Sequence, residues 1–170
     1  LFRPIRTLYI ATCVLNCVWL WFWHQYQLGV CVVIIIGLAL VLLLINLRFK
    51  RAATMPDAIF GKGVFGLYFG WVTAATLVNT VIFMIYAGVE MSATAWKVTG
   101  VLALVLAAGF AVVVRFTLRN YLYPLAIAWA ATGIGVQQSG ATSIVVASAF
   151  CVIVGLVLAV SFVMDQKSTT

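Results

Sequence analysis

The chain has 170 residues, 66% of them hydrophobic and 8% charged, with a mean hydropathy of +1.21. A soluble domain carries about 25% charge, so this chain lacks the polar side chains to cover a water-facing surface and belongs in a bilayer. Its formal charge of +7, from ten Lys+Arg against three Asp+Glu, then bears on membrane orientation rather than on nucleic acid.

Continuous apolar runs predict an all-α, polytopic transmembrane bundle of about six spans, with residues 1–170 forming one helical domain and a polar tail at 165–170. A helix needs roughly 20 residues to cross the hydrocarbon. Runs this long exclude a transmembrane barrel, whose strands alternate every second residue. The chain opens at Leu1 with no signal-peptide pattern, so the natural protein is expected to extend further toward the N-terminus, with room for additional helices.

In chain order, the first run is Leu8–Trp23, which reaches spanning length only with Ile5–Thr7 and its Trp/His end. It closes in WLWFWHQYQ, residues 19–27, which holds the only histidine. The second run is Gly29–Asn46, and the basic loop LRFKRAATMPDAIFGKG follows it. Within that loop Pro56 is placed to open a short helix capped by Thr54, with Asp57 in its first turn. The third and fourth runs are Val64–Tyr86 and Val98–Val114. The fifth, Leu122–Val136, is the shortest, and the sixth is Thr142–Val163.

Six helices in alternation put Arg3, Arg6, Arg48, Lys50, Arg51, Lys62, Arg115, Arg119 and Lys167 on one side and Lys97 on the other. Loops that stay in the cytoplasm retain Lys and Arg, so both termini and the basic loops are expected there, or on the equivalent side. The same basic loops could also attract anionic lipid headgroups. Trp23, Tyr26, Tyr86 and Trp96 map to the outer interface, and Phe60, Phe65, Tyr68, Tyr121 and Tyr123 to the inner one. Trp19, Trp71 and Trp129 lie deeper than an aromatic belt explains.

Groups for catalysis are scarce. Asp57, Glu90 and Asp165 all fall in loops or at a helix end, and no span contains an ionisable pair. Ion-coupled transport and enzymatic chemistry are therefore not expected, and no catalytic residue is assigned. Cys13, Cys17, Cys31 and Cys151 all lie in spans. Cys13 and Cys17 are one turn apart, a spacing open to a soft metal, but cysteine in a span ordinarily serves as a small hydrophobe.

Asn16 and Asn79 sit inside apolar runs. An unsatisfied amide in hydrocarbon costs several kcal/mol, so each needs either an interhelical hydrogen bond or a ligand. Gly66 and Gly70 are spaced as GxxxG, and Thr73, Ala74 and Leu77 extend the stripe. Close helix packing is expected there, within the chain or in a homodimer. Tyr68, Trp71, Thr76 and Asn79 read as an adjacent face. On the first helix Asn16, Trp19, Trp23, Tyr26 and Gln27 share a flank with Leu20 and His24 beside it, while Trp21 and Phe22 turn to lipid. The stretch divides: one part is an interfacial belt, and another, the stripe of Asn16, Trp19, Trp23 and His24, could line an aromatic cavity, with His24 either hydrated or an axial ligand for a haem or chlorophyll metal.

LNCVWLWFWHQYQLG (15–29) and FGLYFGWVTAATLVN (65–79) resemble the tryptophan-rich sensory proteins, larger relatives of the TspO/MBR (translocator protein) family. The likeness extends loosely over residues 1 to about 90; the last three helices match in hydrophobicity alone. It implies a small helical bundle with an aromatic pocket for porphyrins and other tetrapyrroles, or for sterols. Carried over by motif, the ligand-binding candidates are Asn16, Trp19, Trp23, His24, Tyr68, Trp71, Thr73 and Asn79. Two features depart from the family: six spans exceed its usual five, and its Pro-rich loop with tryptophans is absent. The expected function is binding or sensing of a flat hydrophobic ligand, a tetrapyrrole first among the candidates, held between helices one and three. The alternatives are a non-catalytic accessory subunit of a photosynthetic or respiratory membrane complex and a small carrier of an apolar solute.

Overall fold

The computed structural model describes residues 2–50 and 61–161, with side chains described from Ile5 onward. Six helices run α1 Phe2–His24, α2 Leu28–Phe49, α3 Val64–Tyr86, α4 Ala93–Thr117, α5 Leu122–Gln137 and α6 Thr142–Val160. Each corresponds to one apolar run, and α3 has the expected bounds. The Thr54–Pro56–Asp57 start and the 165–170 tail lie outside the described residues.

Among the described residues five helices are long and apolar enough to cross a membrane, and α5 is a shorter apolar one. The chain is an integral, multi-pass membrane protein. Its outward surface is aliphatic, with Leu102, Val105, Val113, Ile153 and Val157 all exposed, which suits lipid and not water.

α3 and α5 form the middle of the bundle. α3 packs on α2, α4 and α5, while α5 packs on α3, α4 and α6. The spacing of small residues explains this. A Cβ at Gly70 would come within 2.5 Å of the Tyr123 carbonyl oxygen and 2.8 Å of the Ala126 methyl, and one at Gly66 would strike the Asn120 amide. Gly66 and Gly70 are thus used inside the chain, letting the α3 backbone meet α5. Gly155 does the same for α6, where a Cβ would sit 2.7 Å from the Pro124 carbonyl oxygen.

α1 is peripheral. Its backbone packs on α2, and it reaches α3 through long side chains. Most of its described surface is exposed, including Cys13 and Cys17. Cys31 and Cys151, by contrast, are buried.

The basic end of the bundle is held by a polar node. Asn46 of α2 donates to the Leu42 and Phe65 carbonyls at 2.9 and 3.1 Å. Asn120, in the α4–α5 turn, donates to Asn46 Oδ1 at 3.1 Å and to the Lys62 carbonyl at 2.7 Å. Both amides are 2% exposed, so these bonds avoid the cost of unpaired buried amides.

Candidate functional site

The α1–α3 seam opens at its basic end with an edge contact between the Tyr9 and Phe65 rings, whose centroids are 6.0 Å apart. Further along, Asn16 Nδ2 donates to the Tyr68 hydroxyl at 2.9 Å. Trp19 Nε1 then donates to Asn79 Oδ1 at 3.3 Å, while Asn79 Nδ2 donates to the Ala75 carbonyl at 2.8 Å. The two amides that needed partners inside the bilayer have them, and both partners lie across the seam. Trp19 stacks on Trp23 at 5.4 Å between ring centroids and 28° between planes.

Beyond that stack the helices part. A cavity of about 450 Å³ opens at the end opposite the basic one, lined by Trp23, His24, Tyr26, Leu28, Ile82, Ile85 and Tyr86. The α1–α2 turn shapes its mouth, with Tyr26 in a left-handed conformation at φ 55°, which non-glycine residues rarely adopt. His24 Nδ1 lies 2.8 Å from the Leu20 carbonyl oxygen. A carbonyl only accepts, so Nδ1 carries the hydrogen of this bond. In the neutral ring Nε2 is then the free lone pair, the arrangement a metal-ligating histidine uses.

The remaining candidates separate from this seam. Trp71 is 52% exposed and lines a second groove of about 390 Å³ with Leu67, Tyr68, Leu125, Ala126 and Trp129. At about 100° per residue, Tyr68 and Asn79 lie within about 20° of each other, whereas Trp71 lies about 60° to one side and Thr76 about 80° to the other. The single face read for Tyr68, Trp71, Thr76 and Asn79 is therefore corrected to two: Tyr68 and Asn79 turn to α1, and Trp71 turns toward α5. Thr73 donates to its own helix at the Phe69 carbonyl, 2.8 Å away, and lies against Tyr123 of α5. It does not reach the α1–α3 seam. Tyr68 is the link between the two regions, with its hydroxyl in the seam and its side chain on the groove.

Sequence reasoning did not single out Leu28, Ile82 and Ile85 as cavity residues, and it assigned Tyr26 and Tyr86 to the interface only. An interfacial aromatic and a pocket aromatic occupy the same register, so periodicity does not separate them. Trp129 did carry a signal, since it lies too deep for a belt.

The family model described as TSPO-like protein matches residues 1–162. The chain belongs to the TSPO-like family. The match takes in the whole of α4, α5 and α6, well past the two motifs on α1 and α3 that carry the resemblance in the sequence. No curated protein and no solved structure matches the chain.

Proposed function

We propose that this TSPO-like chain binds a flat hydrophobic ligand of the tetrapyrrole class in the cavity at the far end of the α1–α3 seam, as a binding or sensing protein without catalysis. The observation that carries this reading is His24: its Nδ1 is occupied by the Leu20 carbonyl, and it stands on the wall of an aromatic and aliphatic cavity. Trp23 and Tyr86 offer ring faces for stacking there. Asn16, Trp19, Tyr68 and Asn79 act one layer back, fixing α1 against α3 and so setting the width of the cavity. By the distribution of Lys and Arg, the basic end faces the cytoplasm or its equivalent and the cavity opens on the opposite side.

The test is a titration of the purified chain in mild detergent with haem and, separately, with metal-free protoporphyrin. His24→Ala is expected to abolish the shift of the haem Soret band that axial ligation produces, and to leave metal-free porphyrin binding within about threefold. Trp23→Leu is expected to weaken both ligands about tenfold, as loss of a stacking ring worth about 1 kcal/mol or more predicts. Wild-type behaviour in both variants overturns the assignment.

A second reading, a non-catalytic subunit of a larger membrane assembly, is favoured by the groove between α3 and α5. Trp71 and Trp129 are 52% and 73% exposed there, and large apolar rings of this kind suit a neighbouring helix or pigment. On a native gel of gently solubilised membranes, a free binder runs as a small particle, whereas a subunit runs with its complex.

A further inference from the structure

Of the five long spans α1 is the least enclosed, and the face it leaves open is not wholly apolar. Tyr9, Cys13, Asn16 and Leu20 follow one another at steps of four, three and four residues. At about 100° per residue they fall within an arc of about 60°. All four are exposed, Tyr9 and Leu20 at 50% each. The residues that α1 turns to protein, Leu8, Thr12, Leu15 and Trp19, are centred about a third of a turn away.

An exposed leucine in a span suits lipid and needs no partner. An exposed amide does, because nothing in the hydrocarbon pairs with it. Asn16 lies within the span Ile5–His24, about 17 Å from its basic end and about 12 Å from the other, too deep for the headgroups. It spends one Nδ2 hydrogen on the Tyr68 hydroxyl at 2.9 Å, and its Oδ1 meets no donor among the described residues. A primary amide offers donors and an acceptor together, so a second amide at the same depth complements what is left over. A second copy of the chain supplies that group. Two copies inserted the same way are related by a twofold axis along the bilayer normal, and residues near the axis meet their own counterparts. Steps of four and three residues form the seam of two helices crossing at about 20°. Cys13, one turn from Asn16 on that seam, is small enough to let the backbones approach.

We propose that the chain forms a parallel homodimer through the Tyr9–Cys13–Asn16–Leu20 face of α1, in which the two Asn16 amides pair across the axis, each Nδ2 donating to the Oδ1 of the other. Each amide keeps its bond to Tyr68 within its own chain, so the pair also ties the interface to α3. Gly66 and Gly70 take no part, since they are used against α5. The interface does not depend on what the cavity binds.

The experiment is oxidation of membranes carrying the full chain with copper–phenanthroline, read as the fraction at twice the monomer mass on a non-reducing gel. The native thiols are the probes, because Cys13 and Cys17 are exposed while Cys31 and Cys151 are buried. Wild type is expected to cross-link. Cys13 stands nearer the axis than Cys17, so Cys13→Ala should lose about fivefold more of the product than Cys17→Ala. Asn16→Leu should lower the dimer roughly threefold to tenfold, the range for loss of one interhelical bond, and Asn16→Gln should restore most of it. Tyr68→Phe removes the partner of Asn16 within the chain and should leave the dimer within about twofold of wild type. Circular dichroism checks that each variant is folded. A loss in Tyr68→Phe equal to that in Asn16→Leu overturns the proposal, because Asn16 then acts only by fixing α1 on α3. So does the absence of a dimer, or cross-linking indifferent to Asn16→Leu. A product of any other mass also overturns it and gives this face to a different protein.

Discussion

One side chain, Asn120, makes four hydrogen bonds. It donates to Asn46 and to the Lys62 carbonyl, and its Oδ1 accepts from the Leu122 and Tyr123 amides, both at 3.1 Å, capping α5. It also occupies the space that a Cβ on Gly66 would need. Asn120→Ala leaves a buried carbonyl and two helix-start amides without their partner, at an expected cost of about 1–3 kcal/mol. Gly66→Ala forces the Asn120 amide aside, at about 1–3 kcal/mol. Both substitutions disturb the same node, so the double variant should be less destabilised than the sum by about 0.5 kcal/mol or more. Thermal melts of the four proteins in one detergent measure this; strict additivity would mean that Gly66 and Asn120 do not share a site.

At the scale of elements, the helices were legible in the sequence and their side-chain pairings were not. An apolar run of about 20 residues has one stable state in hydrocarbon, because every backbone group must pair within the segment. The runs ending at Tyr86 and beginning at Leu122 or Thr142 therefore become helices with those ends. Gly66 and Gly70 were legible for a similar reason, since small residues one turn apart have few other uses in a span. Asn46 sits at the edge of a run beside a basic loop, and Asn120 falls between Arg119 and Tyr121, where an asparagine usually meets water. Only the fold buries them together. Likewise the need of Asn16 and Asn79 for partners was readable, but the choice of Tyr68 and Trp19 depends on how α1 crosses α3.

That crossing can be tested with a cysteine already in place. Cys31 is fully buried on α2, its sulfur 3.8 Å from the Trp19 carbonyl oxygen. With Cys13, Cys17 and Cys151 replaced by Ala, Cys31 should react slowly with a maleimide. Asn79→Leu removes the acceptor for Trp19, and interhelical bonds of this kind contribute about 0.6–1.7 kcal/mol. If they hold α1 closed over α2, labelling of Cys31 should rise roughly threefold to tenfold. An unchanged rate would mean that α1 is held by its packing on α2 alone.

For the whole molecule, the six-helix alternation depends on α5, whose 16 residues give a length of about 24 Å against about 30 Å of hydrocarbon. A lipid-exposed helix of that length would leave polar ends in the acyl chains. α5 is instead packed on three sides: Tyr123, Pro124, Ala126, Ile127, Ala128 and Ala131 are buried against α3, α4 and α6. Only one face, with Leu125, Trp129 and Val136, is left exposed, and the packing of the other faces on protein relaxes the match between its length and the bilayer. It starts at Leu122, just past Asn120 on the basic end, and delivers the chain to the Gly140 turn at the other. In a background without native cysteines, Gly140→Cys and Glu90→Cys should therefore label from the same side of sealed, oriented vesicles with an impermeant maleimide. Lys50→Cys should label from the opposite side. Gly140 labelling together with Lys50 would make α5 a re-entrant segment, move α6 to the opposite orientation and separate the end of α6 from Arg115. The hydrogen bond between Arg115 near the end of α4 and Ser161 at the end of α6 stands only if α5 crosses.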